Sequence, residues 1–471
     1  MATDPPTGPL VATDEHGDLR LLDGHRQDHW CWKASRTTSG PVVVEYTVAP
    51  RAVDITTSDG HPPVDLRFES GGITGSTAAF LALPDLTDDV PATLTWPGIS
   101  SAGDRALTLS DLEALHVMGG DVAEFTAGTA ISYWLSEPIF DVEAFTGHAA
   151  RMHGGLADHF GADPRPLRIF LRRNPYRGMS GSAMPDCFVA GWHEDAVEQP
   201  DRLTAFVDHE LVHNWVGLTG TDAVWFNEGL ADYYSMVLPH RLGLLQTETF
   251  LERADEITRR CLASKWRDTP LDEVALDYWN DPRAHDVAYV RGVLYFAELD
   301  RVLHAQGGIQ LDELLQRVHD RFAQGSPGNV TDWMRWVGDV IGPVSSALHA
   351  NVLDGSRPAP EGDLWQTGRD PVMVEVPVVE PGFAFSTFLT RVVTGLTLDG
   401  PAAEAGLREG DELMDLPRYG ELVGWPANRS LTLTVRRGTQ LTKHTMALGA
   451  QTVSVPQWSN AARHGPLPTV R

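Results

Sequence analysis

Residues 207–234 read VDHELVHNWVGLTGTDAVWFNEGLADYY, and the stretch opens with the HExxH sequence His209-Glu210-Leu211-Val212-His213. On an α-helix, residues i and i+4 lie on the same face, so His209 and His213 can offer two imidazole nitrogens to one metal ion. Glu210 follows about 100° further round the helix. Its carboxylate can therefore reach a water on the metal without occupying a coordination position.

The surrounding residues predict the required helix. Pro200 suits a first helical turn, because its missing N–H has no helical partner there, and Gly217 is a suitable end. Apolar residues recur between them at helical spacing. These residues are Leu203, Phe206, Val207, Leu211, Val212 and Trp215. Zinc held by three protein ligands lowers the pKa of its water to about 7, and Glu210 could then take the proton and pass it to a leaving amine.

A second acidic element, Trp225-Phe226-Asn227-Glu228-Gly229, follows a turn-rich link. Residues 225–237 are predicted to be helical, and we assign Glu228 to the metal as the third ligand. Asp232 lies one helical turn further on and is assigned to the other nitrogen of a ligand histidine, where its hydrogen bond would fix the tautomer. The prediction is one zinc ion, although histidine and carboxylate ligands leave the choice of metal partly open.

At this point the sequence resembles a known group of enzymes. HELVHNW followed by WFNEGLADYY is similar to the gluzincin zinc peptidases, especially the aminopeptidase N and leukotriene hydrolase family and the glycyl aminopeptidase family. Fourteen residues separate His213 from Glu228, whereas the aminopeptidase N pattern has eighteen, and counting eighteen reaches Asp232. We favour Glu228 because Trp-Phe-Asn-Glu-Gly matches residue for residue, and a shorter surface link is a tolerable change.

The resemblance also assigns a second catalytic residue. The segment Ala288-Tyr289-Val290-Arg291-Gly292 resembles the YxKG or YxRG segment of both families. The tyrosine of that segment donates a hydrogen bond to the oxyanion of the tetrahedral intermediate, where a phenol stabilises the transition state more than the substrate. Tyr289 is therefore expected to act with Glu210 in catalysis.

A possible substrate-binding edge precedes the HExxH helix. Aminopeptidase N relatives have a GAMEN sequence there, whose backbone pairs with extended substrate and whose glutamate holds the free α-amine. Here Ala183 and Met184 match, Pro185 stands in place of the glutamate, and Asp186 stands in place of the asparagine. Ala183, Met184 and Asp186 are the expected substrate-binding residues, with Asp186 as the candidate amine anchor. A plain loop without a binding role is the alternative.

The chain is expected to form a multidomain α+β protein. Short strand-like runs between Gly, Pro and Asp turns predict an antiparallel β domain over residues 1–135. A thermolysin-like zinc catalytic domain is expected at 136–240 and a helical domain at 241–350. This order resembles that of the glycyl aminopeptidase family over nearly the whole chain.

The C-terminal region resembles a PDZ domain. Residues 400–411, GPAAEAGLREGD, are similar to the PDZ core sequence, and flanking strands are expected at 388–393 and 431–437. These features predict a PDZ-like domain at 371–450, with a loosely ordered tail at 451–471. PDZ domains bind extended peptides at a sheet edge, so a peptide ligand is expected unless the domain is a structural appendage.

Composition excludes several other roles. The chain has 471 residues, of which 42% are hydrophobic and 21% charged, as in globular proteins. A net charge of −27 argues against nucleic acid and anionic membrane as partners. Neither a membrane-spanning run nor a signal-peptide pattern is visible, so a cytoplasmic location is expected. Three widely spaced cysteines, Cys31, Cys187 and Cys261, are expected to be free thiols.

These features predict a zinc metallopeptidase acting on peptide substrates. The resemblance implies an aminopeptidase that releases small N-terminal residues such as Gly or Ala. A zinc endopeptidase or a dedicated peptide-processing enzyme is the alternative that Pro185 and Asp186 favour. A different hydrolysis on the same scaffold, as in leukotriene hydrolases, also stays open. The non-enzymatic alternative is a peptide-binding scaffold that acts through its PDZ domain.

Overall fold

The computed structural model describes residues 10–26, 29–52, 65–86, 90–95, 99–100, 107–113, 115–163, 165–175, 179–184, 186–194, 200–278, 281–355, 360–417, 419, 422, 425, 429–449 and 451–460. Contacts divide the chain into two compact units. Unit 1 comprises Met1–His153 and Asp163–Thr204, and unit 2 comprises Gly154–Ala162 and Ala205–Arg471. No helix in the described part of the chain combines the length and the apolar character that crossing a membrane requires.

The first part of unit 1 consists of short strands in small sheets. Its elements are β1 (Val11–Asp14), β2 (Gly17–Asp18), β3 (Leu21–Arg26), β4 (His29–Ala34), β5 (Val43–Glu45), β6 (Arg67–Glu69), β7 (Gly72–Ser76), α1 (Thr77–Phe80), β8 (Pro91–Ala92), β9 (Ile99–Ser100), β10 (Leu107–Thr108), α2 (Leu109–Glu113) and β11 (His116–Gly119). The strand orders are β2-β1-β5, β3-β4, β6-β7-β11-β9 and β10-β8. Every pairing among these described strands is antiparallel, as the turn-rich sequence predicts.

A five-stranded mixed sheet completes unit 1. Its strands are β12 (Ala123–Ala127), β13 (Ala130–Trp134), β14 (Leu167–Arg173), β15 (Ser180–Met184) and β16 (Cys187–Trp192), and the helix α3 (Val142–His159) lies between β13 and β14 in sequence. The strand order is β12-β13-β14-β16-β15, with β13, β14 and β16 parallel. Because β12 and β13 belong to this sheet, it crosses the domain boundary that we expected at residue 135. Local patterning identifies strands, whereas their partners depend on the whole fold.

Unit 2 is mainly helical. Its helices are α4 (Pro200–His213), which begins in unit 1, α5 (Val224–Arg241), α6 (Thr247–Leu262), α7 (Leu271–Val274), α8 (Pro282–Gln306), α9 (Leu311–Ala323), α10 (Val330–Ile341) and α11 (Val344–Asp354). The long helices α5 and α8 pack against each other through buried aromatic side chains. This aromatic core includes Trp225, Phe226, Tyr295, Phe296 and Trp333. Asp281 caps α8 by accepting the Arg283 N–H, directly before Pro282 at the first helical position.

Among its described residues, the C-terminal part of unit 2 contains two small sheets and the short helices α12 and α13. Its elements are β17 (Val372–Pro377), α12 (Ser386–Thr390), α13 (Pro401–Glu404), β18 (Glu412–Leu413), β19 (Leu431–Arg437), β20 (Gln440–Met446) and β21 (Thr452–Gln457). The strand expected at 431–437 is confirmed as β19. The strand expected at 388–393 is wrong, because α12 occupies its first residues. Phe388 turns inward in that helix and packs against Phe383 and Phe385.

The expectation of a loose tail from residue 451 is also wrong for its described residues. Strand β21 pairs along its whole length with β17. Trp458 is fully buried, its N–H binds the Asp255 carboxylate at 2.6 Å, and its indole N–H binds the Gly362 carbonyl at 3.0 Å. A large apolar side chain with both donors satisfied favours a fixed position. The remainder of the expected tail, 461–471, lies outside the described residues.

Candidate metal centre

Helix α4 carries the two histidines of the HExxH sequence at its C-terminal end. It begins at Pro200, as predicted, but ends at His213 rather than near Gly217. The four-residue spacing places the rings on one face, with the two Nε2 atoms 3.1 Å apart. Both rings are largely shielded from solvent, so they present convergent nitrogens in a water-poor setting.

The link between α4 and α5 is fixed by contacts of Trp215 and Leu218 with other parts of the chain. Trp215 is 4% exposed, stacks on Phe160, and its carbonyl accepts a 2.7 Å hydrogen bond from His319. Asn227 acts as a clamp on the link, because its side chain accepts the Leu218 N–H at 2.8 Å and donates to the Leu218 carbonyl at 3.0 Å. These contacts fix the short link, residues 214–223, that connects α4 to α5.

Helix α5 presents two carboxylates to the histidine pair. Glu228 Oε2 lies 3.3 Å from His209 Nε2 and 3.4 Å from His213 Nε2. Asp232 Oδ1 lies 2.7 Å from the other nitrogen of the first ring, His209 Nδ1. Because the residues are four apart, one helix face places Glu228 and Asp232 on opposite sides of the His209 ring. Glu228 thus faces the Nε2 atoms of both histidines, and Asp232 contacts the opposite edge of the His209 ring at Nδ1.

The donor set fits a small, borderline-soft cation. Two imidazole nitrogens and one carboxylate oxygen, from His209, His213 and Glu228, form a cluster that could hold a metal ion. Zinc lies about 2.0–2.2 Å from such ligands, and a tetrahedron of that size has edges of about 3.3–3.6 Å. The observed ligand-atom separations of 3.1, 3.3 and 3.4 Å are close to those edges. Three ligands leave the fourth position for water or substrate.

The electrostatics of the cluster follow from burial and from neighbouring charge. Burial alone would raise the pKa of Glu228, but His213 and His209 hold that pKa well below its usual range. Burial would lower the pKa of His209, and the bonds to Asp232 and Glu228 reverse this effect and raise the pKa well above its usual value. Glu228 is therefore a carboxylate, which is the form that binds a cation.

Glu210 is the buried acid beside the cluster. Its side chain is 7% exposed, and burial raises its pKa, although His209 and His213 oppose the shift. A carboxylate with a raised pKa is a better general base near neutral pH. Glu210 donates no ligand atom to the three-residue cluster.

Tyr289 lies on α8 beside the first histidine. Its ring is nearly parallel to that of His209, with centroids 6.1 Å apart and planes at 13°. Burial and then the Glu228 charge hold the pKa of Tyr289 well above its usual range, so the phenol keeps its proton. A neutral phenol next to a cation site is a suitable hydrogen-bond donor for a developing oxyanion.

Two glycines that the sequence analysis left without a role allow α5 and α8 to approach closely. A β-carbon on Gly292 would overlap the Trp225 carbonyl and lie 2.7 Å from the Gly229 α-carbon. A β-carbon on Gly229 would overlap the backbone of Gly292. Glycine inside a helix is unfavourable by about 1 kcal/mol relative to alanine. Two glycines within predicted helices were therefore the feature of the sequence that could have indicated close helix packing.

Arg291, also left without a role, is a structural anchor. It is 2% exposed, and its guanidinium donates to the carbonyls of Trp266, Arg267, Thr269 and Val352. These bonds tie the segment before α7 and the end of α11 to α8. The arginine of the YxRG segment therefore holds chain segments around the helix that carries Tyr289.

The expected substrate-binding residues belong to unit 1. Ala183 and Met184 lie in β15, which is the edge strand of the five-stranded sheet and pairs with β16 alone among the described strands. Asp186 follows in the turn between them with φ 57°, and its carboxylate accepts a 3.0 Å bond from Arg165. Pro185 lies outside the described residues. The carboxylate expected to hold a substrate amine thus already has a cationic partner.

Comparisons with known proteins identify solved structures of similar fold. No family model matches the chain, and neither does any curated protein. Among solved structures, an aminopeptidase N family protein from Idiomarina loihiensis has a TM-score of 0.66 at 14% identity, over 98% of this chain and 91% of its own. LTA4 hydrolase from yeast has a TM-score of 0.50 at 12% identity, over 75% of this chain and 63% of its own.

An M1 zinc metallopeptidase from Deinococcus radiodurans also matches, with a TM-score of 0.44 and 17% identity over 74% of this chain and 84% of its own. The neighbours with a TM-score of 0.50 or more are thus the aminopeptidase N family protein and the LTA4 hydrolase. The fold of this chain, a mixed α/β multidomain arrangement with several small sheets and a helical region, is of the same kind as theirs.

Proposed function

We propose that the protein is a zinc-dependent metallopeptidase that hydrolyses peptide bonds. The observation that carries the proposal is the convergence of His209 Nε2, His213 Nε2 and Glu228 Oε2 within hydrogen-bond distance of one another. No ordinary structural role explains why two imidazoles and a carboxylate direct atoms at one point. The aminopeptidase-like fold supports the same conclusion.

In this proposal His209, His213 and Glu228 hold one zinc ion. Zinc in such a site acidifies a water and polarises the carbonyl of the scissile bond. Asp232 keeps a proton on His209 Nδ1, which leaves Nε2 free as the ligand atom. The pair thereby fixes both the tautomer and the orientation of the ring.

Glu210 and Tyr289 supply the remaining chemistry. Glu210 accepts the proton of the attacking water and then delivers it to the leaving amine, a transfer favoured by its raised pKa. Tyr289 donates its hydroxyl hydrogen bond to the oxygen of the scissile carbonyl as negative charge develops there. The water attacks directly, so no acyl-enzyme forms.

The finer proposal is an aminopeptidase that releases small N-terminal residues such as Gly or Ala. The resemblance of HELVHNW and WFNEGLADYY to the glycyl aminopeptidase family supports it. In the same proposal the chain has a thermolysin-like domain, a helical domain and a PDZ-like domain with a peptide ligand. A cytoplasmic location also stays a proposal.

A zinc endopeptidase is the second candidate, and one contact favours it. Asp186 is the acid nearest in sequence to the place of the family's amine anchor, and it pairs with Arg165 at 3.0 Å. An engaged carboxylate in a tight turn is poorly suited to hold an ammonium group. If Ala183 and Met184 bind extended substrate only through their backbone, no free N-terminus is required.

The deciding experiment combines zinc analysis with peptide hydrolysis. Wild type, Glu210→Gln and the control Glu143→Gln, an exposed acid on α3, are assayed on matched free and N-acetylated short peptides. The proposal predicts zinc in all three proteins and a loss of about 10²–10⁴-fold in kcat for Glu210→Gln alone. Protein without zinc and without hydrolysis would contradict it and favour the peptide-binding scaffold. Cleavage limited to free N-termini identifies the aminopeptidase, and cleavage of blocked peptides identifies the endopeptidase.

A further inference from the structure

Arg283 joins the first turn of α8 to the C-terminal part of unit 2. Its Nη1 atom donates a 2.7 Å bond to the Glu380 carboxylate and a 3.4 Å bond to the Val379 carbonyl. The side chain is 9% exposed, and its guanidinium lies 5.9 Å from the ring centroid of Phe385 and 5.7 Å from that of Tyr419. At such distances an aromatic ring attracts a cation. One arginine of α8 thus binds residues that lie 96 and 97 positions later in the chain.

The two rings belong to a part of the chain that has its own core. Phe385 and Tyr419 pack against an apolar cluster formed within the C-terminal part of unit 2. Its buried members include Val379, Phe383, Phe388, Leu407 and Leu433. Arg283 therefore attaches this region to α8 from outside the core of the region.

The same guanidinium also organises the N-terminal end of α8. The Asp281 carboxylate accepts the Arg283 backbone N–H at 3.0 Å and the Arg283 guanidinium at 2.7 and 2.9 Å. Lys265 Nζ lies 3.0 Å from this carboxylate. Burial would raise the pKa of Asp281, but the bonds from Arg283 and Lys265 lower it to about 2, so the carboxylate is charged. An N-cap of this kind stabilises a helix by about 1 kcal/mol.

Tyr289 lies between two fixed points on α8. On its C-terminal side, Gly292 packs closely against the backbone of α5. On its N-terminal side, Arg283 and its partners fix the first turn. Helix ends have unpaired backbone groups, and they fray where caps or tertiary contacts do not hold them. Loss of the first fixed point would therefore let residues 282–288 move, and with them the phenol that lies beside His209.

We propose that Arg283 is a positioning residue, which attaches the C-terminal part of unit 2 to the first turn of α8 and thereby holds Tyr289 beside the metal centre. This role rests on the proposed peptidase function and assigns Arg283 no contact with substrate. The planar guanidinium suits the role, because it donates to Asp281 and Glu380 at once while aromatic rings cover it.

The kinetic test compares Arg283→Gln with Arg301→Gln on the zinc-loaded enzyme. Arg301 is the matched control, because it lies on the same helix and its ion pair with Glu298 stays within that helix. We expect Arg283→Gln to lower kcat about threefold to thirtyfold with KM nearly unchanged, and Arg301→Gln to leave both constants unchanged. In a Tyr289→Phe background, Arg283→Gln should change kcat less than about twofold. An equal decrease in both backgrounds would overturn the proposal, because a general structural effect does not need Tyr289.

Hydrogen exchange tests the attachment without any measurement of activity. The amides of residues 286–290 lie in the first turns of α8 that follow Arg283. We expect these amides to exchange at least about tenfold faster in Arg283→Gln than in wild type, because the helix end opens more often. Residues 294–304 of the same helix should keep their rates, and Arg301→Gln should leave residues 286–290 unchanged.

Glu380→Gln protects the test against a folding defect. The substitution keeps the size of the side chain and removes the charge that Arg283 binds, at a position whose side chain is 42% exposed. Its effects on kcat and on exchange at residues 286–290 should have the same direction as those of Arg283→Gln and be smaller. If Arg283→Gln does not fold, wild-type kcat and exchange in Glu380→Gln would overturn the proposal.

The outcomes separate this inference from the function on which it rests. Wild-type exchange at residues 286–290 in an active Arg283→Gln protein overturns the attachment and leaves the peptidase. Faster exchange there with an unchanged kcat overturns the positioning of Tyr289. A wild-type protein that binds zinc but cleaves no peptide overturns the proposed function and, with it, the purpose of the attachment. Faster exchange together with a decrease in kcat that depends on Tyr289 supports both.

Discussion

Gly229 of α5 and Gly292 of α8 face each other so closely that a β-carbon on either residue would overlap the backbone of the other helix. Gly229 directly follows Glu228 in sequence, and Gly292 lies three residues after Tyr289. The contact sets the distance between the helix that carries the carboxylate ligand and the helix that carries the phenol. Close helix packing is thus part of how the site is built.

Substitution of Gly292 should separate the two helices. We expect Gly292→Ala to lower the free energy of unfolding by about 1–3 kcal/mol, the usual effect of overpacking, and to lower activity as Tyr289 moves away from Glu228. Thermal unfolding and peptide hydrolysis measure the two effects. The control Gly154→Ala lies in α3 with open space around its α-carbon, and it should be neutral or stabilising. Equal stability of the two variants would contradict this packing.

The bond between Asp232 and His209 should tune metal affinity. Asp232→Asn keeps the size of the side chain and weakens its hydrogen bond to Nδ1. We expect zinc affinity to fall about 10- to 100-fold, the usual effect of losing such a partner. Competition with a chelator measures the affinity, and the exposed Asp339→Asn on α10 controls for the loss of one negative charge. Unchanged affinity would show that Asp232 does not support the ligand ring.

The clamp that Asn227 forms on Leu218 should stabilise the short link. Asn227→Ala removes two hydrogen bonds and leaves both backbone groups of Leu218 without this partner. We expect the free energy of unfolding to decrease by about 1–3 kcal/mol and hydrogen exchange at the Leu218 amide to become faster. Asn351→Ala on α11 serves as the comparison and should change the free energy of unfolding by less than about 0.5 kcal/mol. Protection at Leu218 that survives the Asn227 substitution would contradict the clamp.

His116 should make unit 1 sensitive to acid. It is fully buried, with Nε2 2.9 Å from Thr74 Oγ1, and burial followed by the Arg172 charge holds its pKa well below its usual value of about 6.5. The unfolded chain then binds the proton more readily, so stability is complete above about pH 6.5 and falls as the pH decreases. The decrease in Tm between pH 7 and pH 5 should be smaller for His116→Gln than for wild type. Parallel pH profiles would exclude His116 as the cause.

Much of the local structure around the site was predictable. The helix that begins at Pro200 is confirmed, and the helix predicted for 225–237 is observed as Val224–Arg241. Both predictions use spacings of three and four residues, which the helix geometry alone dictates. The error at the end of α4 concerns residues 214–217, where Trp215 is engaged in contacts with Phe160 and His319, residues far away in the sequence.

Other features were not readable from local patterns. The strand expected at 388–393 was wrong because Phe388 lies in a short helix, where its ring packs against Tyr419, a residue about thirty positions later. Trp458 binds Asp255, a partner about two hundred residues earlier in the chain. Contacts over such separations depend on the packing of whole elements, and no window of neighbouring residues contains them.

The sequence by itself determined which groups could form a metal centre, because the spacing of His209 and His213 on a helix places their rings together. It also placed two carboxylates, Glu228 and Asp232, on one helical face. Counting residues does not decide which of the two carboxylates faces the histidine Nε2 atoms. Only the tertiary structure places Glu228 there, 3.3 Å from His209 Nε2 and 3.4 Å from His213 Nε2. The contact of the Tyr278 ring with His285 was likewise decided by tertiary structure, since it depends on how the segment before α8 folds back onto that helix.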